Sequence, residues 1–372
     1  MGKQRTILVT GAGGFIGKNL LVRLGEQSET KVLLFERGDS DEMLTEMVAK
    51  ADAIVHLAGE NRPEDVIDFA LVNTELTRTL CFAIRATGRN IPLIFASSTQ
   101  ATRDNPYGES KLAAEQVIEA FVDETGNSTI IYRLPGVFGK WCKPNYNSVV
   151  ATFCHNIARG LPIQINDAAV TLQLVYIDDV VDELLSALDT AKPGLLRDKI
   201  NQIYSITLGQ LSEQIHAFQN CRTSLMSERV GTGLTRALYS TYISYLPPEQ
   251  FAYDLPQHGD DRGIFVEMLK TPDCGQFSFF TVHPGITRGS HYHHSKTEKF
   301  LVVRGLARMR FRHMITGETT DITVSSDKPQ VVDSIPGWVH DITNIGDTEA
   351  IVMLWANEIF DRQRPDCIPC EV

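Results

Sequence analysis

The sequence has little positive charge for its length and no long apolar run. Among its 372 residues, 35 lysines and arginines stand against 46 aspartates and glutamates, which gives a net charge of −11. A nucleic-acid partner needs a basic surface, so this balance argues against one. No apolar stretch reaches the roughly 20 residues that cross a bilayer, and no signal peptide precedes the first predicted strand. We therefore expect a cytoplasmic protein with no membrane partner.

Cysteine is also sparse, at seven residues. Cys367 and Cys370 form an isolated Cys-x2-Cys pair near the C-terminal end. A zinc knuckle needs a second such pair nearby, so we interpret these two as ordinary side chains, and the scattered cysteines agree with a reducing compartment. The remaining composition, 43% hydrophobic and 22% charged, is typical of a globular protein, and the length predicts two domains or one large domain.

The stretch Ile7–Gly17 combines an apolar strand, a glycine loop and the start of an amphipathic helix. Gly11 permits a tight turn, Gly14 lets backbone N–H groups approach a pyrophosphate, and Gly17 lets the helix lie close to the sheet. The helix N-terminus then offers unpaired N–H groups and a positive dipole end to the phosphates. The pattern predicts a dinucleotide-binding loop whose contact residues are Gly11, Gly14, Phe15, Ile16 and Gly17.

The second predicted strand, Lys31–Phe35, ends in Glu36 and Arg37. An acidic residue here holds the ribose hydroxyls of NAD, whereas an arginine can pair with the additional phosphate of NADP. The two signals conflict, so the residues alone leave both cofactors open. The next strand runs into Leu57-Ala58-Gly59, a turn of small residues beside which a cofactor can pass, and we interpret His56 inside that strand as a packed side chain.

A further apolar strand, Leu93–Thr99, ends in hydroxyl side chains and precedes a segment of good helix formers. Tyr107 and Lys111 lie four residues apart in that segment, so both side chains fall on one helix face. A nearby ammonium lowers the pKa of a phenol toward the working pH, as proton transfer requires. Because the pair follows both a strand-end serine and the glycine loop, we interpret Ser98, Tyr107 and Lys111 as a catalytic site.

Together these motifs resemble the extended short-chain dehydrogenase/reductases of the nucleotide-sugar branch. The resemblance implies a Rossmann-type, doubly wound parallel sheet and the catalytic trio Ser98, Tyr107 and Lys111. In this family the tyrosine donates a proton, the serine holds the carbonyl oxygen, and the lysine tunes the tyrosine and binds the ribose. The chain lacks the Asp-Glu pair that similar sugar 4,6-dehydratases use to eliminate water, which disfavours dehydration.

Two later segments add to this resemblance. Arg133–Gly139 resembles the segment that passes the nicotinamide, which implies cofactor contacts at Leu134 and Pro135. Asn147 would then lie on the substrate side together with Ser98. Val175–Val180 resembles the family's late strand-to-helix signature, in which Asp178 or Asp179 would cap the helix.

Near residue 246 the pattern changes, because Leu246-Pro247-Pro248-Glu249 suggests a linker and strand patterns dominate beyond it. We therefore predict one domain over 1–245 and another over 246–372. Within the second, residues 307–312 alternate apolar side chains with three arginines, which is typical of a half-buried strand with a solvated face. A role for these arginines in binding a substrate phosphate is the alternative.

The second domain also carries a candidate metal site. His291 and His293 point to the same side of a predicted strand, so both imidazoles can reach one metal ion, whereas His294 points away. Glu298 and His340 can complete a mixed nitrogen and oxygen site. The spacing resembles the cupin motifs, which implies an all-β cupin barrel with zinc, although the ligand types also suit manganese, iron or nickel. The alternative is a polar barrel mouth without a metal.

The order of the two modules resembles that of bifunctional epimerase–reductases of UDP-N-acetyl-L-fucosamine biosynthesis, for capsule or O-antigen. The resemblance implies UDP-2-acetamido-2,6-dideoxy-4-hexulose as substrate, NADPH as hydride donor and a homodimer. A 4-keto group acidifies the hydrogen at C3, so C3 epimerisation in the cupin must precede reduction of C4, and Lys296 and His283 are candidate bases. The alternatives are an NAD-dependent nucleotide-sugar 4-epimerase and a non-catalytic nucleotide-sensing protein with a cupin interaction module.

Overall fold

The computed structural model of the chain describes residues 4–63, 65–260, 263–266, 268–269, 275–358 and 363–372. The chain divides into two compact units, the first formed by Met1–Lys143 with Leu172–Ser205 and the second by Pro144–Thr171 with Ile206–Val372. The boundary between residues 245 and 246 stays a sequence-based prediction.

The bounds of the regular elements are as follows. The strands that precede residue 208 are β1 (Arg5–Thr10), β2 (Thr30–Phe35), β3 (Ala53–His56), β4 (Leu93–Ser98), β5 (Thr129–Leu134), β6 (Gly136–Phe138), β7 (Thr171–Tyr176), β8 (Leu195–Asp198) and β9 (Tyr204–Thr207). The α-helices are α1 (Phe15–Gly25), α2 (Asp41–Lys50), α3 (Leu76–Ala86), α4 (Pro106–Thr125), α5 (Val149–Ala158), α6 (Ile177–Thr190), α7 (Leu208–Ser224) and α8 (Gly233–Ser244). The later strands are β10 (Ala252–Asp254), β11 (Gln257–Asp260), β12 (Gly263–Val266), β13 (Gln276–Val282), β14 (Thr287–Tyr292), β15 (Glu298–Arg304), β16 (Leu306–His313), β17 (Thr319–Ser325), β18 (Gln330–Asp333), β19 (Trp338–Asn344), β20 (Ala350–Ala356) and β21 (Ile368–Pro369).

The first unit is built on a parallel sheet with strand order β2-β1-β3-β4-β5-β8. Its central strands are continuous apolar runs because parallel strands are covered on both faces. Helices α2, α3 and α4 contribute Leu44, Leu80 and Ile118 to the core that packs on this sheet. The strand order reverses between β1 and β3, and ligands of such sheets bind beyond the carboxyl ends of the strands at that point. The predicted Rossmann-type parallel sheet is confirmed.

The second unit contains two five-stranded antiparallel sheets, with orders β10-β18-β15-β20-β13 and β17-β16-β19-β14-β21, and the hairpin β11-β12. Ala307, Met309 and Phe311 of β16 are buried, as the alternation predicts. Arg310 between them is not purely solvated, because its guanidinium binds the buried Asp341 carboxylate at 3.1 and 2.5 Å. The antiparallel sheets agree with the all-β prediction, and closure into a cupin barrel stays a prediction.

Local sequence signals explain several helix starts. Thr207 and Gln210 form a capping box at the start of α7, with reciprocal hydrogen bonds of 3.1 and 3.2 Å. The prediction that Asp178 or Asp179 caps α6 is wrong, because α6 follows β7 directly and Tyr176 is the N-cap residue. Asp178 instead lies in the first turn and pairs with the buried Lys140 at 2.6 Å. Among the described residues, no helix has both the length and the apolar composition needed to span a bilayer.

Candidate active site and metal centre

The glycine loop and the second predicted cofactor turn lie against each other, backbone to backbone. A Cβ atom at Gly11, where φ is +70°, would lie 2.6 Å from the Ala58 nitrogen, and one at Gly17 would lie 2.5 Å from the Gly11 oxygen. Helix α1 begins after Gly14, and its first turn has neither a side-chain cap nor an acidic residue. The positive end of the helix dipole is therefore not neutralised locally, as a phosphate site requires. Phe15 and Ile16, the other predicted contacts, are the first residues of that helix.

Arg37 connects the end of β2 to the second cofactor turn. Its Nη2 atom lies 2.8 Å from Oε2 of Glu60, the residue that follows Leu57-Ala58-Gly59. The arginine side chain is 84% exposed, so its guanidinium remains accessible to a ligand. The backbone N–H of Glu36 donates to Asp39. Sequence analysis missed Glu60, although its place directly after the glycine turn could have indicated it.

The structure brings the predicted catalytic trio together. Ser98 ends β4 and Tyr107 lies at the start of α4, where the Ser98 hydroxyl acts to lower the pKa of the phenol. Lys111 is buried one turn further along the helix, and its Nζ donates to the Ala96 carbonyl at 2.9 Å. A Cβ atom at Gly59 would lie 3.4 Å from the same Nζ, so the lysine also reaches the second cofactor turn.

The protonation of the trio differs from the sequence-based expectation. Burial raises the pKa of Tyr107, and the nearby Ser98 hydroxyl only partly opposes this effect. The expected lowering of this pKa by Lys111 is therefore wrong in sign, because burial outweighs any stabilisation of the phenolate. Burial also lowers the pKa of Lys111 to about 8, although the Glu115 carboxylate raises it. A phenol that holds its proton is suited to donating it.

Neighbouring residues support this site, and sequence analysis missed two of them. The buried Glu115 carboxylate accepts from Arg133 at 2.9 and 2.6 Å and from the Ser97 hydroxyl at 2.5 Å. The amide of Asn73 donates to the Ser110 hydroxyl at 2.9 Å, next to Lys111. The spacing of four between Lys111 and Glu115 was the available signal for the carboxylate.

The other predicted residues of this region have different outcomes. Leu134, next to Pro135, is the register partner of Ser98 on the neighbouring strand. Asn147 belongs to the second unit, and its substrate role stays a prediction. His56 is a packed side chain, as predicted, with its two ring nitrogens 2.7 and 2.9 Å from threonine hydroxyls. Burial lowers the pKa of His56 to about 3, so the ring is neutral at pH 7.

In the second unit, the four predicted metal ligands converge. His291 lies on β14, His293 directly after that strand, Glu298 at the start of β15 and His340 on β19. One potential ligand atom from each of these side chains lies within 4.8 Å of all the others. His293, Glu298 and His340 are buried, whereas His291 is half-buried. The cluster does not include His294, whose ring packs against Tyr292 as the strand alternation suggests.

The donor atoms of this cluster fit a divalent cation. His293 uses Nδ1 to donate to the Asp366 carbonyl, which leaves a lone pair on its Nε2. That Nε2 lies 3.0 Å from Oε2 of Glu298, so the two atoms are close enough for one divalent cation to bind both. Both ring nitrogens of the buried His340 lack a hydrogen-bond partner among the described residues. Burial lowers the pKa of His291 to about 4, which keeps the ring neutral and the lone pair of one ring nitrogen available at pH 7.

A cavity of about 190 Å³ adjoins three of these ligands. Both five-stranded sheets line it, mainly with the apolar side chains Phe280, Phe300, Met309, Ile342 and Leu354. Arg288 contributes a guanidinium to the wall. Lys296 lies beside the cluster, with Nζ 2.7 Å from Oε1 of Glu298. The other candidate base, His283, does not line the cavity, because its side chain is 78% exposed and faces Glu349.

Two models of known protein families match the chain. Residues 7–203, more than half of the chain, match the NAD dependent epimerase/dehydratase family. The chain belongs to this family. Residues 258–368 match a second family model, the polysaccharide biosynthesis C-terminal domain.

Two of the similar proteins align along nearly the whole length of this chain. It is 53% identical over 366 residues to the UDP-2-acetamido-2,6-beta-L-arabino-hexul-4-ose reductase of Pseudomonas aeruginosa, with 98% of both chains covered. Its structure matches that of the capsular polysaccharide assembling protein CapF from Staphylococcus aureus, with a TM-score of 0.67, 43% identity and coverage of 98% and 100%. The UDP-glucuronic acid 4-epimerase of Bacillus cereus shares the fold alone, at a TM-score of 0.52 and 19% identity over 58% of this chain and 83% of that one.

Proposed function

We propose that this protein is a cytoplasmic, bifunctional UDP-sugar enzyme of capsule or O-antigen biosynthesis. It epimerises C3 of UDP-2-acetamido-2,6-dideoxy-4-hexulose and then reduces the C4 ketone with NADPH, on the route to UDP-N-acetyl-L-fucosamine. The observation that carries the proposal is the placing of Ser98 at the end of β4 and of Tyr107 and the buried Lys111 in the first turns of α4. It occurs in a chain that is similar along 98% of its length to a UDP-sugar 4-ketone reductase.

In the reduction, bound NADPH supplies the hydride that C4 accepts. The Ser98 hydroxyl donates a hydrogen bond to the carbonyl oxygen, which places that oxygen next to the Tyr107 phenol. Since burial raises the pKa of Tyr107, the phenol carries the proton that the developing alkoxide takes up. Lys111 holds the ribose and, as a cation, stabilises the phenolate that remains.

The choice of NADPH rests on Arg37. Its exposed guanidinium at the end of β2 can bind the 2′-phosphate of NADPH with two parallel hydrogen bonds. Glu60 holds the arginine at this position by an ion pair of 2.8 Å. We expect Arg37→Ala to raise the KM for NADPH at least about tenfold more than the KM for NADH, since an exposed charge-assisted hydrogen bond of about 1.5 kcal/mol corresponds to that factor.

The epimerisation is assigned to the cavity between the two antiparallel sheets. The C4 ketone acidifies the C3 hydrogen, so a base beside the cavity can remove it and a proton can return to the opposite face. Lys296 is the candidate base that lies at the cluster. Zinc held by His291, His293, Glu298 and His340 would supply positive charge beside this cavity. Arg288 in the wall suits the negatively charged diphosphate of the substrate.

Epimerisation comes first in this scheme, because reduction removes the ketone that makes C3 acidic. A homodimer and the closed cupin barrel are further proposals that follow from the similarity to CapF.

The experiment that tests the proposal measures NADPH oxidation by purified protein supplied with the 4-keto UDP-sugar. We expect one NADPH to be oxidised for each ketone consumed. A nucleotide-sugar 4-epimerase with tightly bound NAD would interconvert two UDP-hexoses without added reductant and would leave NADPH unchanged, and a non-catalytic sensor would change neither. Either of these results would contradict the proposal.

A further inference from the structure

The C-terminal tail, defined here as residues 366–371, lies along β14, the strand that carries His291 and ends just before His293. Within it, β21 pairs with β14, so that Pro369 is the register partner of His291 and Ile368 that of Tyr292. The backbone N–H of Cys370 donates to the Ser290 carbonyl at 2.9 Å. The tail is therefore the outer neighbour of the first metal-ligand strand.

Asp366, at the start of the tail, binds the turn that separates His293 from Glu298. Its Oδ1 accepts the backbone N–H of His294 at 2.7 Å. Its Oδ2 accepts the backbone N–H groups of Ser295 and Lys296 at 2.8 and 2.7 Å, and the Ser295 hydroxyl at 3.2 Å. One carboxylate thus collects three consecutive N–H groups, an arrangement that favours a full negative charge and holds the backbone of the turn.

Asp366 also contacts one of the four candidate metal-ligand side chains directly. The Asp366 carbonyl accepts a hydrogen bond from Nδ1 of His293. A carbonyl oxygen can only accept, so Nδ1 carries a hydrogen, and Nε2 is the ring nitrogen left to bind a metal ion beside Glu298. Both the tautomer of His293 and the path of the turn to Glu298 therefore depend on where Asp366 lies.

We propose that Asp366 is a positioning residue that orients His293 and the 294–296 turn so that the four side chains can bind one divalent cation. The inference rests on the metal centre of the proposed function and adds to it the C-terminal tail as the part of the chain that organises the ligands. Outer partners of this type, which fix a ligand's tautomer and direction, typically contribute a factor of about 10 to 100 to metal affinity.

The test uses the full chain, stripped of metal and titrated with Co²⁺, whose visible spectrum reports the ligand geometry. We expect Asp366→Asn to bind Co²⁺ about 10- to 100-fold more weakly than the unaltered protein and with a changed spectrum. An amide keeps one good acceptor oxygen and places its NH2 group against backbone N–H groups. Asp366→Glu, which keeps the charge, should recover part of the affinity.

Asn344→Ala is the matched control. Asn344 is buried in the same sheet as His291 and holds a different turn, with donor bonds of 2.8 Å to the carbonyls of Val282 and Thr348 and an acceptor bond of 2.9 Å from Gly346. Asn344→Ala should lower the melting temperature and leave the Co²⁺ affinity unchanged.

Wild-type Co²⁺ affinity and spectrum in Asp366→Asn would overturn the inference. Equal weakening of Co²⁺ binding by Asn344→Ala would overturn it too, since the affinity would then only follow the stability of the fold. If the unaltered protein itself bound no Co²⁺, the metal centre of the proposed function would fail, and the inference with it.

Discussion

The two candidate centres of this molecule are built from different parts of the chain. In the first unit, backbone atoms shape the candidate site, because the glycine loop and the turn at residues 57–59 pack against each other at the carboxyl ends of parallel strands. In the second, side chains dominate, and four of them from antiparallel strands place their ligand atoms within 4.8 Å of one another. A parallel sheet gathers loops at one edge, whereas an antiparallel sheet gathers alternate side chains on one face. The first centre therefore depends on a bound cofactor for its chemistry, and the second brings its own ligands.

The largest effect is expected at the phenol of the first centre. Tyr107→Phe removes the proton donor and should slow NADPH oxidation by about 10²- to 10⁴-fold, the usual contribution of general acid catalysis. Metal affinity in the second unit should not change, because no ligand is altered. The matched control is Tyr132→Phe, which alters a buried tyrosine of β5 outside the trio. Equal slowing by both variants would mean that Tyr107 acts only through stability.

The second centre should respond to loss of a single ligand. His340→Gln should weaken metal binding by more than the roughly 100-fold that loss of an outer partner costs, as measured by competition with a chelator. His283→Gln makes the same change at an exposed histidine outside the cavity and should have no effect on metal affinity. If His340→Gln kept full affinity, the cluster would be a hydrogen-bonded group and not a metal site.

A smaller effect, on the free energy of unfolding, is expected where the backbone of the glycine loop is closely packed. Gly17→Ala would place a Cβ atom 2.5 Å from the Gly11 oxygen and should lower the free energy of unfolding by about 1–3 kcal/mol, as overpacking does. A Cβ atom at Gly13 meets nothing within 4 Å among the described residues, so Gly13→Ala should change the free energy of unfolding by less than about 0.5 kcal/mol. Urea unfolding of the two variants measures the difference, and equal values would contradict the close contact.

The smallest effect concerns pH. Burial lowers the pKa of Lys111 to about 8, so the ammonium loses its proton as the pH rises through this value. We expect kcat/KM for reduction to fall about tenfold per pH unit above pH 8, because the reaction uses the protonated lysine. In Lys111→Arg the charge persists, and the decline should disappear below pH 10 even if the maximum rate is lower. An unchanged pH profile in that variant would assign the decline to another group.

The sequence was sufficient for the parts of both sites that depend on local spacing. The glycine loop, the pair Tyr107 and Lys111, and the alternation of His291 and His293 each follow from the period of one element. The contacts that join distant segments could not be predicted in this way. Asp366 lies more than seventy residues beyond His293, and only the pairing of β21 with β14 brings them together.

The direction of pKa shifts and the exact ends of helices could not be predicted from the sequence either. The sign of the Tyr107 pKa shift depends on burial, which spacing on a helix face does not report. The role of Asp178 depended on whether α6 begins at residue 177 or two or three residues later, and helix ends are set by such small differences. Within the segment 261–267, the structure describes residues 263–266, which form β12, and Asp261, Arg262 and Glu267 lie outside the described residues.

The central claim is that one ketone serves both centres, first at the cavity and then at the nicotinamide site. Proton NMR of the 4-keto UDP-sugar in D2O, recorded before and after addition of NADPH, tests it most directly. The account predicts that the protein introduces deuterium at C3 without NADPH, that Tyr107→Phe does so equally well, and that His340→Gln does not. Absence of deuterium at C3 before NADPH is added, or equal exchange in His340→Gln, would contradict the account.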